Sequence, residues 1–162
     1  MFKSDKFIFR RFRVEDLDEL HKMEGDQEVM KFTGPGRAQS FSESEIRLKK
    51  VLEYIPESEV MGFWAPIERE TNKLIGWFML VKTKENIPEL GFMIAKEYWG
   101  KGYATELSKY LCNLAITEFG IDKIIARTDR NNQASIKVLE KVGFKLSGED
   151  KKGYRFLLES KK

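Results

Sequence analysis

Phe7, Ile8, Phe9 and Phe12 stand among arginines and predict a strand, after which Val14-Glu15-Asp16-Leu17 opens a helix with Leu17, Leu20 and Met23 turned inward. From Gly25 to Gln39 the chain is polar, and Gly34-Pro35-Gly36 marks a loop. A second helix is expected from Ser42 to Tyr54. Ser42 and Glu45 are spaced like a capping box, Ile46, Leu48, Val51, Leu52 and Ile55 supply apolar surface, and Pro56 ends the helix. The aromatic and β-branched runs Met61 to Ile67 and Leu74 to Val81 flank a polar turn, Glu68 to Lys73, which predicts a hairpin. Glu89 to Ile94 reads as a strand. Ala104, Leu107, Leu111, Leu114 and Ala115 then recur at helical spacing in a helix that extends to Phe119. A strand from Lys123 to Thr128, a helix from Asn132 to Val142 and a closing pair, Phe144 to Gly148 and Tyr154 to Leu158, complete the chain. Strands arranged first in hairpins and later alternating with helices define an α+β (mixed α/β) class, a mixed sheet with helices on its faces.

The chain has 162 residues, enough for one domain spanning 1–162 that buries roughly two thirds of its unfolded surface without a metal or disulfide. No repeat or low-complexity linker divides it. The single Cys112 lies beside Leu111 and Leu114, as a packed thiol would, and one cysteine with one histidine, His21, leaves no zinc site. The N-terminus lacks the pattern of an export signal and no stretch approaches a membrane span, so a cytoplasmic location is expected. A net charge of +3 is small against 34% charged residues of both signs. Lys49-Lys50, Lys151-Lys152 and Lys161-Lys162 are pairs rather than a stripe, which argues against a nucleic-acid platform.

Candidate chemistry concentrates at Tyr98-Trp99-Gly100-Lys101-Gly102-Tyr103-Ala104, between the Glu89 strand and the following helix. The first N–H groups of a helix have no internal partner and carry the positive end of its dipole, so a phosphate resting there completes their hydrogen bonds. Gly100 and Gly102 let the backbone come close, and Lys101 adds a cation. A glycine-rich turn alone is a weak signal. About thirty residues on, Asn131-Asn132-Gln133-Ala134-Ser135 opens a short helix that stops at Gly143-Phe144.

These two motifs, in this order and context, resemble the GNAT acetyltransferase superfamily and, within it, the RimJ/RimL-like branch of N-terminal acetyltransferases. The resemblance covers essentially the whole chain. It implies a GNAT-like fold, with a twisted mixed sheet of about six to seven strands, about four helices, and a splay between strands four and five. It also implies acetyl-coenzyme A as co-substrate. Trp99, Gly100, Lys101, Gly102, Tyr103, Ala104 and Thr105 then surround its pyrophosphate, the pantetheine arm runs along Leu90 to Ala95 past Phe92, Met93 and Ile94, and Asn132 and Ser135 complete the coenzyme site. Trp99 replaces the family's usual Gln or Arg. Leu139 stands where many members carry a tyrosine that protonates the departing thiolate, which leaves Ser135 or a water for that role.

Acetyl transfer to an amine needs an unprotonated amine, a donor for the developing oxyanion and an acid for the thiolate. A backbone N–H near Phe92 or Met93 is the expected oxyanion donor. Glu89 is the expected base, directly or through water, with Glu68 and Glu70 as weaker candidates. A strand-end glutamate can equally be a solvated surface residue, Ser135 an inward-facing small residue and Asn132 a helix cap. The first two helices and the loop between them, including Phe32, Thr33 and Trp64, are expected to line the acceptor site, and the aromatic residues there can equally be core. At pH 7.5 roughly a third of chain-terminal amines but only about one lysine in a thousand are unprotonated, which favours a protein N-terminal α-amine or another amine of low pKa. A polyamine or aminoglycoside acceptor, and a non-catalytic acyl-coenzyme-A sensor or interaction module, are the alternatives. A homodimer is compatible with the sequence.

Overall fold

The computed structural model describes residues 1–161. In chain order the elements are β1 (Phe2–Lys3), β2 (Phe7–Arg10), α1 (Leu17–Glu24), α2 (Gln27–Met30), α3 (Phe41–Glu53), β3 (Gly62–Glu68), β4 (Lys73–Leu74), β5 (Gly76–Lys82), β6 (Pro88–Ile94), α4 (Tyr103–Thr117), β7 (Lys123–Thr128), α5 (Gln133–Val142), β8 (Lys145–Asp150) and β9 (Gly153–Glu159). Nine strands form one sheet in the order β1-β2-β3-β5-β6-β7-β9-β8, with β4 paired to β3. The count exceeds the expected six to seven because β1 and β4 hold two residues each, too few to show any periodicity. The fifth helix is α2, a single turn inside the segment expected to be all loop. Asp26 starts it by accepting hydrogen bonds from the N–H groups of Glu28 and Val29.

Among the ladders of this sheet, β6–β7 is parallel and all the others are antiparallel. It is also the thinnest, joined at one register pair, Glu89 with Ile125. Leaving out the two-residue strands, β6 and β7 are the fourth and fifth, so the sheet divides where the resemblance places the splay.

On one face of the sheet Phe9 stacks on Tyr110 of α4 at 5.6 Å, and edge-to-face and stacked contacts continue the cluster through Phe78 to Phe92. Leu107, Leu111 and Ala115 of α4 are 0% exposed. Each large side chain buried this way contributes about 1.5–3 kcal/mol. The other face holds Trp77 beside Phe63 and lies under α1 and α3. Arg10 fixes the entry to α1 through two 2.7 Å bonds to Asp16, which also accepts the Arg13 N–H.

Helix α3 begins two residues earlier than the sequence suggests. The chain contains Ser-x-x-Glu twice in overlapping register, and Ser40 with Glu43 forms the capping box, not Ser42 with Glu45. Ser44 and Leu48 supply its buried contacts, with Val51 packed against the core. Ile46, Leu52 and Ile55 are 56%, 41% and 87% exposed, contrary to their expected packing, because they lie off that stripe or beyond the helix end. Trp64 is core as well. Its indole N–H donates to the Val60 carbonyl and its ring lies between Phe2 and Phe9, away from the face where an acceptor role is expected. Among the described residues no helix is long and apolar enough to cross a membrane.

Candidate active site

Strands β6 and β7 each run into a helix, α4 and α5, so both helix N-termini open at the carboxyl ends of the divided strand pair. In open α/β sheets this is where ligands bind. The geometry at α4 is specific. Gly100 and Gly102 have φ of +74° and +76°, a region that side chains rarely adopt, and a Cβ at either position would meet nothing within 4 Å. The glycines therefore serve backbone sign and outside access rather than internal packing. Gly102 caps the helix without a side-chain bond, so the first-turn N–H groups of Tyr103, Ala104 and Thr105 have no intrahelical acceptor and remain directed outward.

Side chains brace this loop from behind. The Trp99 indole N–H donates to the Ile94 carbonyl at 2.8 Å, which ties the loop to the end of β6. Tyr103 donates to Glu68 Oε1 at 2.7 Å, a bond that pushes its phenol up to about 12 and holds the Glu68 carboxyl below its ordinary range. Thr71 donates to the other Glu68 oxygen, so this carboxylate supports the loop. Lys101 lies 5.2 Å from the Tyr98 ring and 5.8 Å from that of Tyr103, a cation held over two aromatic faces beside the open amides.

The open edge of β6 supplies a second row of donors. Ala95 donates its N–H to Ile75 on the β5 side, and the antiparallel alternation then turns the Met93 N–H toward β5 as well. The N–H groups of Phe92 and Ile94 point the other way, into the gap beyond the Glu89–Ile125 pair. Of the two expected oxyanion donors, Phe92 therefore has the orientation and Met93 does not. Sequence alone cannot separate them, because the choice depends on the pairing phase.

At α5, Asn132 accepts the Ser135 N–H at 3.2 Å, so its side chain is a helix cap. The Ser135 hydroxyl makes no hydrogen bond among the described residues and is partly exposed. Leu139 is 1% exposed and belongs to the core, so it holds nothing polar at the site.

Glu89 lies on the opposite face of β6 from Phe92, and its Oε2 accepts from Arg127 at 2.7 Å. Arg127 also donates to Glu85, which accepts from Arg155 as well. The Arg155 bond is the main reason that Glu85 is held below the usual carboxylate range. Arg127 is not legible in sequence, since the contact exists only once β7 lies parallel to β6. Phe32 and Thr33, both partly buried, follow α2 in the loop before α3. Cys112 is 2% exposed and burial pushes its thiol up to about 12, which leaves it an inert packing group. A concavity of about 500 Å³, lined by Lys82, Pro88 and Lys123 among others, lies at the other end of β6 and β7.

A parallel strand pair opens past one pairing point, with a glycine-rich helix start following one strand and an Asn-capped helix following the other, the place in an open α/β sheet where ligands commonly bind. The chain belongs to the GNAT acetyltransferase family: the acetyltransferase (GNAT) domain matches residues 6–145. It is 25% identical over 147 residues to the uncharacterized N-acetyltransferase p20 of Bacillus licheniformis, covering 90% of this chain and 82% of that protein. Its fold is shared with a GNAT-family acetyltransferase from Bacillus anthracis, with a TM-score of 0.82 at 23% identity over 97% of this chain and 96% of that one. It is also shared with a spermidine N-acetyltransferase from Vibrio cholerae solved with CoA and spermine, with a TM-score of 0.76 at 20% identity over 96% of each. The protein is thus a GNAT-family N-acetyltransferase.

Proposed function

We propose that the protein moves an acetyl group from acetyl-coenzyme A to a primary amine by direct attack in a ternary complex, in the manner of the RimJ/RimL-like branch and in the cytoplasm. The observation that carries this reading is the alignment of two sets of open donors along one gap, the first turn of α4 and the Phe92–Ile94 edge of β6. The amides from Gly100 to Thr105, with Lys101, hold the pyrophosphate. The pantetheine arm continues along Leu90 to Ala95, and the α5 start with Asn132 and Ser135 closes the second side.

The thioester is already activated, so the protein positions two substrates and manages protons. The amine nitrogen attacks the carbonyl carbon and the oxygen becomes negative against the Phe92 N–H, a contact of a kind worth about 3–4 kcal/mol in the transition state. The carbon–sulfur bond then breaks, and the thiolate takes a proton from a water or from Ser135, whose oxygen recovers a proton from solvent as Glu89 releases the one taken from the amine. The proton lost by the amine passes through a water to Glu89, whose Oε1 is left for that relay while Arg127 holds Oε2. A weak base suffices for an acceptor of low pKa, such as a protein N-terminal α-amine.

The test is a thiol-release assay over a panel of α-amines, diamines and aminoglycosides, alongside thermal melting with the coenzyme. Acetyl-coenzyme A at a hundred times its dissociation constant should add about 2.7 kcal/mol of stability. Glu89→Gln should lower kcat by about 10²-fold or more. No stabilisation together with no thiol release on any amine would overturn the reading, and coenzyme binding without turnover would select the sensor instead.

A further inference from the structure

Glu24, the last residue of α1, is 0% exposed, and neither of its carboxylate oxygens has a hydrogen-bond partner of good geometry among the described residues. Its counter-charge is Arg47 of α3, whose Nε lies 3.0 Å from Oε1. That contact leaves the two-pronged end of the guanidinium unused, in contrast to Arg10, which grips Asp16 with both prongs. Burial drives the Glu24 carboxyl upward, and the Arg47 charge opposes this without cancelling it. Ser44, also 0% exposed, lies beside the group, where its hydroxyl and the nearby His21 also favour the charged carboxylate less than burial opposes it, and it contacts His21 Nδ1 at 3.2 Å.

The Arg47 guanidinium lies 4.7 Å above the Trp77 ring. Trp77 is 6% exposed, and its indole N–H also lacks an acceptor among the described residues. A buried carboxylate, an aromatic face and a free N–H donor therefore meet in one place, filled by an arginine tip that keeps 27% of its side chain in solvent. Carboxylate and aromatic face together are the chemistry that recognises an ammonium. The position matters as much as the composition. Trp77 is the register partner of Met93, on the face of the sheet that also carries Glu89, so the slot borders the β6 segment where acetyl transfer is proposed. Adjacent strands lie about 4.8 Å apart, a gap that a three- or four-carbon chain spans.

We infer that the Glu24–Trp77 slot receives a second ammonium group of the acceptor, and that Arg47 is a displaceable plug that fills it until a small α,ω-diamine or longer polyamine arrives. The inference rests on the acetyl-transfer reading and sets a diamine, whose amines titrate near lysine, in place of an acceptor of low pKa, so the Glu89 relay carries more of the deprotonation. It predicts recognition through binding: the distal ammonium lowers KM, while the reacting amine meets the same proton relay as any other.

The decisive comparison is 1,4-diaminobutane against n-butylamine in thiol release, for wild type, Glu24→Gln and Arg47→Met. Wild type should favour the diamine by about tenfold or more in kcat/KM, carried by KM, the scale of one charge-assisted contact. Glu24→Gln should collapse that preference, and Arg47→Met should enlarge it. Equal kcat/KM for the two amines in wild type, or a preference that survives Glu24→Gln, overturns the slot and leaves acetyl transfer standing. If neither amine is acetylated, titration of the Trp77 indole N–H resonance, identified through Trp77→Phe, decides directly. A saturating shift with the diamine and none with butylamine upholds the slot; equal responses or no shift reject it. Failure of the parent reading is distinct, since it appears as absent coenzyme binding and absent thiol release on every amine.

Discussion

Glu24 becomes charged in an interior that strips it of water, and this gives the protein a pH dependence opposite to that of a surface carboxylate. Its folded pKa lies above the unfolded value, so between the two the native state holds more protons than the unfolded state. Stability from this residue is greatest below the unfolded carboxyl pKa of about 4.3 and declines as pH rises through the folded value. Glu24→Gln removes that decline but leaves Arg47 without its counter-charge, a penalty that does not change with pH because arginine stays protonated. Urea midpoints of the variant should therefore improve relative to wild type as pH rises above about 4, at constant m. A difference independent of pH would show that the carboxyl is not destabilised by burial. The position has a sequence signature that only the fold makes readable. Leu20, Met23 and Glu24 form one i, i+3, i+4 stripe, and a charge on such a stripe is either paired inside or functional.

At the scale of elements, the loop between β6 and α4 is where the proposed coenzyme site can be tested apart from folding. Gly102 adopts a left-handed conformation with open space around it, and asparagine tolerates that conformation better than other side chains. Gly102→Asn should melt within about 1 kcal/mol of wild type yet lose acetyl-coenzyme A affinity tenfold or more, because its side chain enters the cradle. Calorimetric titration with the coenzyme and thermal melting check both halves, and undiminished affinity would remove the loop from the site. This loop and the two helices around it are readable in sequence because their signals are local: a glycine pair with a lysine between, a helical stripe from Leu107 to Ala115, and Asn132 and Gly143 at the ends of α5. The start of α3 is not, because two copies of one capping pattern compete two residues apart. Phe92 and Met93 cannot be told apart in sequence, nor Arg127 joined to Glu89, because phase and pairing between strands distant in sequence leave no mark in either strand alone.

For the molecule as a whole, the sheet is continuous in order but uneven in attachment. Residues of β5 and β6 pair at seven positions and those of β7 and β9 at six, while β6 and β7 share one. The portions of chain on either side of that point therefore hold together through α4, α5 and shared core more than through ladder bonds. Without ligand, calorimetric enthalpy should exceed the van't Hoff enthalpy, the mark of two cooperative blocks, and the ratio should return to one when acetyl-coenzyme A spans both. A ratio of one in its absence would show that the helices alone unify the molecule. Where an acyl donor bridges that seam as proposed, its loss would leave the two blocks freer to part, so the empty enzyme should be the first form cut by an added protease.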